Sequence, residues 1–79
     1  MENPIKQARE KAGLTRNELS TVAGVGYSTL ASLEKGRPQS INKKVLEALE
    51  QLGQEPDKLK AEYKQYRENE KKEILQKAN

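Results

Sequence analysis

The chain has no cysteine, no histidine, no tryptophan and no phenylalanine among its 79 residues. Without cysteine there is no disulfide framework, and without cysteine or histidine the usual zinc ligand sets cannot be assembled. The Ser-His-Asp and Cys-His arrangements of nucleophilic catalysis are excluded for the same reason. The acidic residues are dispersed, mostly opposite lysines, so no paired-carboxylate site stands out. The expectation is therefore no enzyme, no catalytic residue, no metal and no cofactor. Three tyrosines are the only aromatics, so aliphatic side chains must build the core. Long apolar runs are missing too. No stretch could span a bilayer, and the opening Met1-Glu2-Asn3-Pro4 has no apolar signal-type segment. These absences predict a soluble, cytoplasmic protein with no membrane partner.

What the chain does have is charge. Charged residues make up 34% and hydrophobic residues 33%, with a net charge of +3. That length suits one small domain, near the lower limit for a core without staples. The excess is mild, so its distribution matters more than its size. Lys35, Arg37, Lys43 and Lys44 follow one another with no acidic residue between them. Read alone, such a run is a solvated loop. Beside a helix with a free polar face, it reads as an edge that contacts phosphates.

The stretch Thr15–Lys35, TRNELSTVAGVGYSTLASLEK, organises the rest. Thr15 followed by Glu18 is a capping box. Leu19, Val22 and Ala23 recur at helical spacing, and Gly24 ends that helix because the chain must swing to positive φ there. Gly26 is the expected N-cap of the next helix, about Tyr27–Lys35. Leu30 and Leu33 lie on one side of it, and Tyr27, Ser28, Ala31 and Ser32 on others. The outer face is small and polar and gains little from packing.

Before this pair, Pro4 suits the first turn of a helix that runs to about Lys11, with Ile5, Ala8 and Ala12 marking one face. Leu14 reads as a core residue. After it, Gly36 closes the third helix and Pro38 prevents its resumption. Ser40 is the expected cap of a fourth helix, about Ile41–Leu52, whose stripe is Ile41, Val45, Leu46, Leu49 and Leu52. Gly53 ends it, and Pro56 and Asp57 begin a fifth. There Leu59, Tyr63 and Tyr66 share a face, followed by the apolar-free run Arg67–Glu73 and then Ile74 and Leu75. The first half can pack on the domain. The second half projects as a charged helix held by pairs such as Glu68–Lys72 and Glu73–Lys77, or frays.

Five helices in this order, with a glycine turn between the second and third, resemble the Cro/CI phage-repressor (XRE-type) helix-turn-helix family. The resemblance covers roughly Ile5–Leu59 and is most specific over Arg16–Lys35. The turn glycine corresponds to Gly24, and the buried positions to Leu19, Ala23, Val25, Leu30 and Leu33. Ser20 stands where alanine is usual, and Gly26 where serine or threonine is common. The implied fold is all-α, a five-helix lambda-repressor-like DNA-binding domain over residues 1–55, with an extended charged C-terminal helix over 56–79. The family pairs an arginine of the first helix with a glutamate at the end of the third, which map to Arg9 and Glu34.

The implied function is sequence-specific binding of double-stranded DNA by a small phage- or plasmid-type transcriptional repressor, with helix 27–35 in the major groove. On the family pattern the base-contacting positions are Tyr27, Ser28 and Ser32. Thr29 stands beside them, for the backbone or a thymine methyl. A ring of Tyr27 folded over Val25 is the packing alternative. None of these residues reads a base bidentately, so shape readout must contribute. Phosphate contacts are expected from Arg16, Asn17, Gly26, Lys35, Arg37, Ser40, Asn42 and Lys43, helped by the free N–H groups of helix N-termini.

Repressors of this kind commonly dimerise, and Leu52, Leu59, Tyr63, Tyr66, Ile74 and Leu75 are the candidate second-copy contacts. For Leu52 and Leu59 an intramolecular core role is the expectation. A competing reading is an accessory or adaptor protein of a mobile element that binds DNA. It would recruit a protein such as a relaxase or toxin through the C-terminal helix. A truncation at about Gly53 is the test that separates the two readings. A membrane-surface helix at Lys58–Ala78 is disfavoured because Asn69 and Glu70 break its apolar face.

Overall fold

The computed structural model describes residues 1–78, so Asn79, the last residue of the expected 56–79 segment, lies outside it. The described residues form five helices and no strand: α1 (Pro4–Lys11), α2 (Arg16–Ala23), α3 (Tyr27–Glu34), α4 (Lys43–Gln51) and α5 (Pro56–Lys77). None of these helices is long and apolar enough to cross a membrane.

Each helix start has a local cause. Asn3 caps α1, its Oδ1 accepting from the Ile5 and Lys6 amides at 2.9 and 3.1 Å. Its Nδ2 also donates to the Leu33 carbonyl at 2.9 Å, so one buried side chain starts α1 and ties it to α3. At α2 the capping box is complete. The Glu18 amide donates to Thr15 Oγ1 at 3.2 Å and the Thr15 amide to Glu18 Oε1 at 2.9 Å. Gly24 ends α2 at φ 70°, and the Val25 amide then donates back to the Ser20 carbonyl at 3.1 Å. That left-handed residue makes the turn, because a Cβ there would crowd the following carbonyl.

The start of α4 differs from expectation. Its cap is Asn42, not Ser40: Asn42 Oδ1 accepts from the Lys44 and Val45 amides at 2.9 and 3.4 Å. Ser40 lies in the preceding loop, and Ile41 packs against the core from outside the helix. At the other end Leu52 is exposed as the C-cap and takes no part in the core.

The core is mostly aliphatic. Ile5, Leu19, Leu30, Leu33, Val45 and Leu49 are fully buried, with Tyr63 as the one large aromatic among them. Ala8, Ala48 and Leu59 complete it, and Leu14, Ala23, Val25, Ile41 and Leu46 pack around it. Val22 shares helical spacing with Leu19 but faces solvent.

Helix α5 is a single rod of 22 residues, about 33 Å long at 1.5 Å per residue. Leu59 and Tyr63 on its first half are core residues, which removes them from the candidate second-copy surface. Every residue from Lys71 to Ala78 is exposed. The molecule measures 42 × 23 × 20 Å, elongated by this rod.

Candidate nucleic-acid interface

Helix α3 is divided cleanly. Leu30, Leu33 and Glu34 point inward and are buried, while Tyr27 and Ser28 are exposed and Thr29, Ala31 and Ser32 half-buried. Gly26 caps α3 without a side chain, its carbonyl accepting from the Thr29 and Leu30 amides at 3.1 and 3.3 Å. Among the described residues, Ser28, Ala31 and Ser32 of the outward row of α3 make no side-chain hydrogen bond to another element, and Tyr27 meets only Arg16.

Glu34 is buried and ionic, its side chain 0% exposed. Arg9 meets it with two nitrogens, Nε to Oε2 at 2.9 Å and Nη2 to Oε1 at 3.1 Å. Arg9 Nη1 also donates to the Leu14 carbonyl at 2.8 Å. Arg16 Nε reaches the same Glu34 Oε1 at 3.2 Å, its side chain 33% exposed. The Tyr27 hydroxyl and Glu34 both hold the Arg16 guanidinium above its ordinary pKa, Tyr27 first. Two cations thus share one carboxylate, and the Arg16 guanidinium keeps N–H groups that Glu34 does not take. Arg16 is therefore not a free clamp. One nitrogen is engaged inward, and Tyr27, 49% exposed, stands beside it. Spacing alone did not mark Arg16 as a partner of Glu34.

The other cations lie C-terminal to α3. Lys35 is the C-cap of α3, and both it and Arg37 are exposed. The Gly36 amide donates to the Leu33 carbonyl at 3.0 Å and the Arg37 amide to the Ser32 carbonyl at 3.1 Å, which folds the chain sharply off the helix end. Lys43 and Lys44 are exposed in the first turn of α4, where their charges add to the positive end of the helix dipole. Asn42 has its carbonyl oxygen occupied by capping, so only its NH2 group remains to meet an anion. Asn17 is exposed in the first turn of α2, its carbonyl accepting from the Ser20 and Thr21 hydroxyls at 2.9 and 2.8 Å. Ser40 is exposed but belongs to no helix N-terminus.

One participant carries no sequence signal at this site. Arg67 of α5 donates from Nε to the Gly36 carbonyl at 3.1 Å, across a separation that periodicity cannot read. Among the described residues no His/Cys/Asp/Glu cluster could hold a metal ion.

A helix-turn-helix family matches residues 5–56, which spans α1 to the start of α5. An uncharacterized HTH-type transcriptional regulator, y4mF of Sinorhizobium fredii (strain NBRC 101917 / NGR234), is 39% identical over 49 residues. Those residues cover 62% of this chain and 64% of that protein, just under two thirds of its length. No solved structure matches. With the capped α2, the left-handed Gly24 turn and the half-bare α3 inside the matched region, the chain belongs to the Cro/CI (XRE-type) helix-turn-helix family.

Proposed function

We propose that this chain is a sequence-specific double-stranded DNA-binding regulator of the small phage- or plasmid-type repressor kind, with α3 laid in the major groove. One observation carries the reading. The inward side of α3 is fully buried, while its outward row of Tyr27, Ser28, Ala31 and Ser32 faces away from the core beside a cation-bearing loop. Tyr27 and Ser28 are best exposed to meet base edges, with Ser32 and Thr29 at the margin. Lys35, Arg37, Lys43 and the first turns of α2 and α4, with Asn17, Gly26 and Asn42, supply phosphate contacts. Arg16 offers a phosphate the guanidinium edge that Glu34 leaves free.

Side-chain hydroxyls give single hydrogen bonds, whereas bidentate pairs discriminate by about 1–3 kcal/mol each. Groove shape and duplex deformability must therefore supply part of the sequence preference. Selection of binding sites from random duplex DNA at two salt concentrations tests this. Arg37→Ala weakens binding to every sequence and lowers the salt slope by about 0.9. Ser28→Ala or Tyr27→Ala changes which sequence is preferred. If duplex DNA leaves the α3 amide signals unmoved, the reading is wrong.

The end of α5 favours a second role as an adaptor. Ile74 and Leu75 are 65% and 57% exposed there. With Tyr66 half-buried on the domain, these two side chains are a small patch. A stable interface between copies buries about 1,200 Å2 or more, so the patch suits one anchor contact with a protein partner of a mobile element, such as a relaxase or toxin.

A further inference from the structure

Arg37 is bracketed by α5. The carbonyl before it, that of Gly36, accepts from Arg67 Nε at 3.1 Å, and the carbonyl after it, that of Pro38, accepts from the Tyr63 hydroxyl at 2.7 Å. Between these donors the Tyr66 ring lies against Gly36 so closely that a Cβ built there would sit 2.6 Å from Cε1. Tyr63, Tyr66 and Arg67 fall at i, i+3 and i+4, one face of a helix. Arg37 itself remains exposed.

We propose, on the reading of the chain as a duplex-binding protein, that this face of α5 positions Arg37 against a DNA phosphate. Tyr63, Tyr66 and Arg67 are then positioning residues for DNA binding. The chain from Lys35 to Asn42 has no regular structure of its own. Left free, it would have to be ordered at the moment of binding, and affinity would fall accordingly. Anchoring both peptides around Arg37 moves that ordering into folding. The C-terminal helix, exposed from Lys71 to Ala78, thereby acts on the DNA-binding loop through Tyr63, Tyr66 and Arg67.

Tyr63→Phe is the cleanest probe. Its side chain is buried and neutral, so the change alters no charge and removes no DNA contact. Affinity for duplex DNA is measured at two salt concentrations for the full chain, Tyr63→Phe, Arg37→Ala and the double variant, with circular dichroism checking that each is folded. Tyr63→Phe is expected to weaken binding about three- to tenfold. The double variant is expected to bind no more weakly than Arg37→Ala alone. Arg67→Gln, at a half-buried site, is measured in the same cycle in case Tyr63→Phe folds poorly, and the same loss of effect is expected. Two results overturn the inference while leaving the DNA-binding reading intact: unchanged affinity in both variants, or an equal loss with and without Arg37. A full chain that binds no duplex at all removes the DNA-binding reading and this inference with it.

Discussion

Arg16 Nε lies 3.2 Å from Glu34 Oε1, the same oxygen that takes Arg9 Nη2 at 3.1 Å. One buried carboxylate therefore links the end of α3 to both α1 and the start of α2. The two helices of the motif are locked at a polar point as well as through Leu19, Leu30 and Leu33. The lock sits at the far end of α3 from Gly24, so the angle between the helices is fixed at both ends.

Removing that carboxylate strands two guanidiniums, one of which is almost buried. Glu34→Ala is expected to cost about 3 kcal/mol, the lower part of the range for breaking a buried pair. It sits low because Arg16 can turn to solvent and Arg9 keeps the Leu14 carbonyl. Glu50→Ala, at an exposed site on α4, should stay within about 0.5 kcal/mol. Urea denaturation of both variants checks this, and equal midpoints would count against the lock.

Glu18 gives the acid limb of stability a specific origin. Its carboxylate is held below its ordinary pKa by the Thr15 amide and then by the Thr15 hydroxyl. Because the folded value is depressed, the contribution is complete above the unfolded value. It is lost as pH falls through the folded one. Glu18→Gln should therefore flatten the dependence of the melting temperature on pH in the acid range. Near neutral pH it keeps much of the cap, since glutamine can also accept from Thr15. A pH series of thermal melts on both proteins reads this.

What could be read from sequence was local. The Thr15–Glu18 box and the Gly24 turn lie within ten residues of each other, and each is set by backbone chemistry that tertiary context does not change. The start of α4 was less legible because Ser40 and Asn42 are both good caps. Packing of Ile41 against the core decides between them. Val22 obeys helical spacing yet faces solvent, because an eight-residue helix has more apolar positions than buried ones here. Periodicity put Leu59, Tyr63 and Tyr66 on one face of α5 without saying what that face meets. The answer, the core and the loop around Arg37, depends on contacts some 25 to 31 residues away in sequence. The sharing of Glu34 by Arg16 is of the same kind.

Gly36 and Gly13 form a natural contrast. Both have positive φ, 72° and 77°, but a Cβ at Gly13 would meet nothing within 4 Å whereas one at Gly36 would strike Tyr66. Gly13→Ala should cost about 1 kcal/mol, the backbone penalty alone. Gly36→Ala should cost more, since the ring must move and the Arg67 and Tyr63 contacts beside it are disturbed. Placing Gly36→Ala in a Tyr66→Ala background should bring its added cost down towards that of Gly13→Ala. Chemical denaturation of the four variants measures the difference.

The two halves of α5 should respond oppositely to truncation. Cutting at Gly53 removes Leu59 and Tyr63 from the core. Burial of such side chains is worth about 1.5–3 kcal/mol each, and the hydroxyl and guanidinium bonds to Pro38 and Gly36 add roughly 1 kcal/mol apiece. Their sum is comparable with the whole stability of a small domain, about 5 kcal/mol at the lower end. That chain is expected to lose its cooperative melt, so loss of DNA binding in it would say nothing about the tail. Ending the chain after Glu70 instead removes only exposed residues among those described and should shift the melting temperature by less than about 3 °C. DNA affinity should then be retained if α5 serves the DNA-binding loop through Tyr63, Tyr66 and Arg67. Any partner that depends on Ile74 and Leu75 should be lost. Thermal melts and duplex titrations on the two truncated chains decide it, and a large fall in DNA affinity in the longer one would place a DNA contact beyond Glu70.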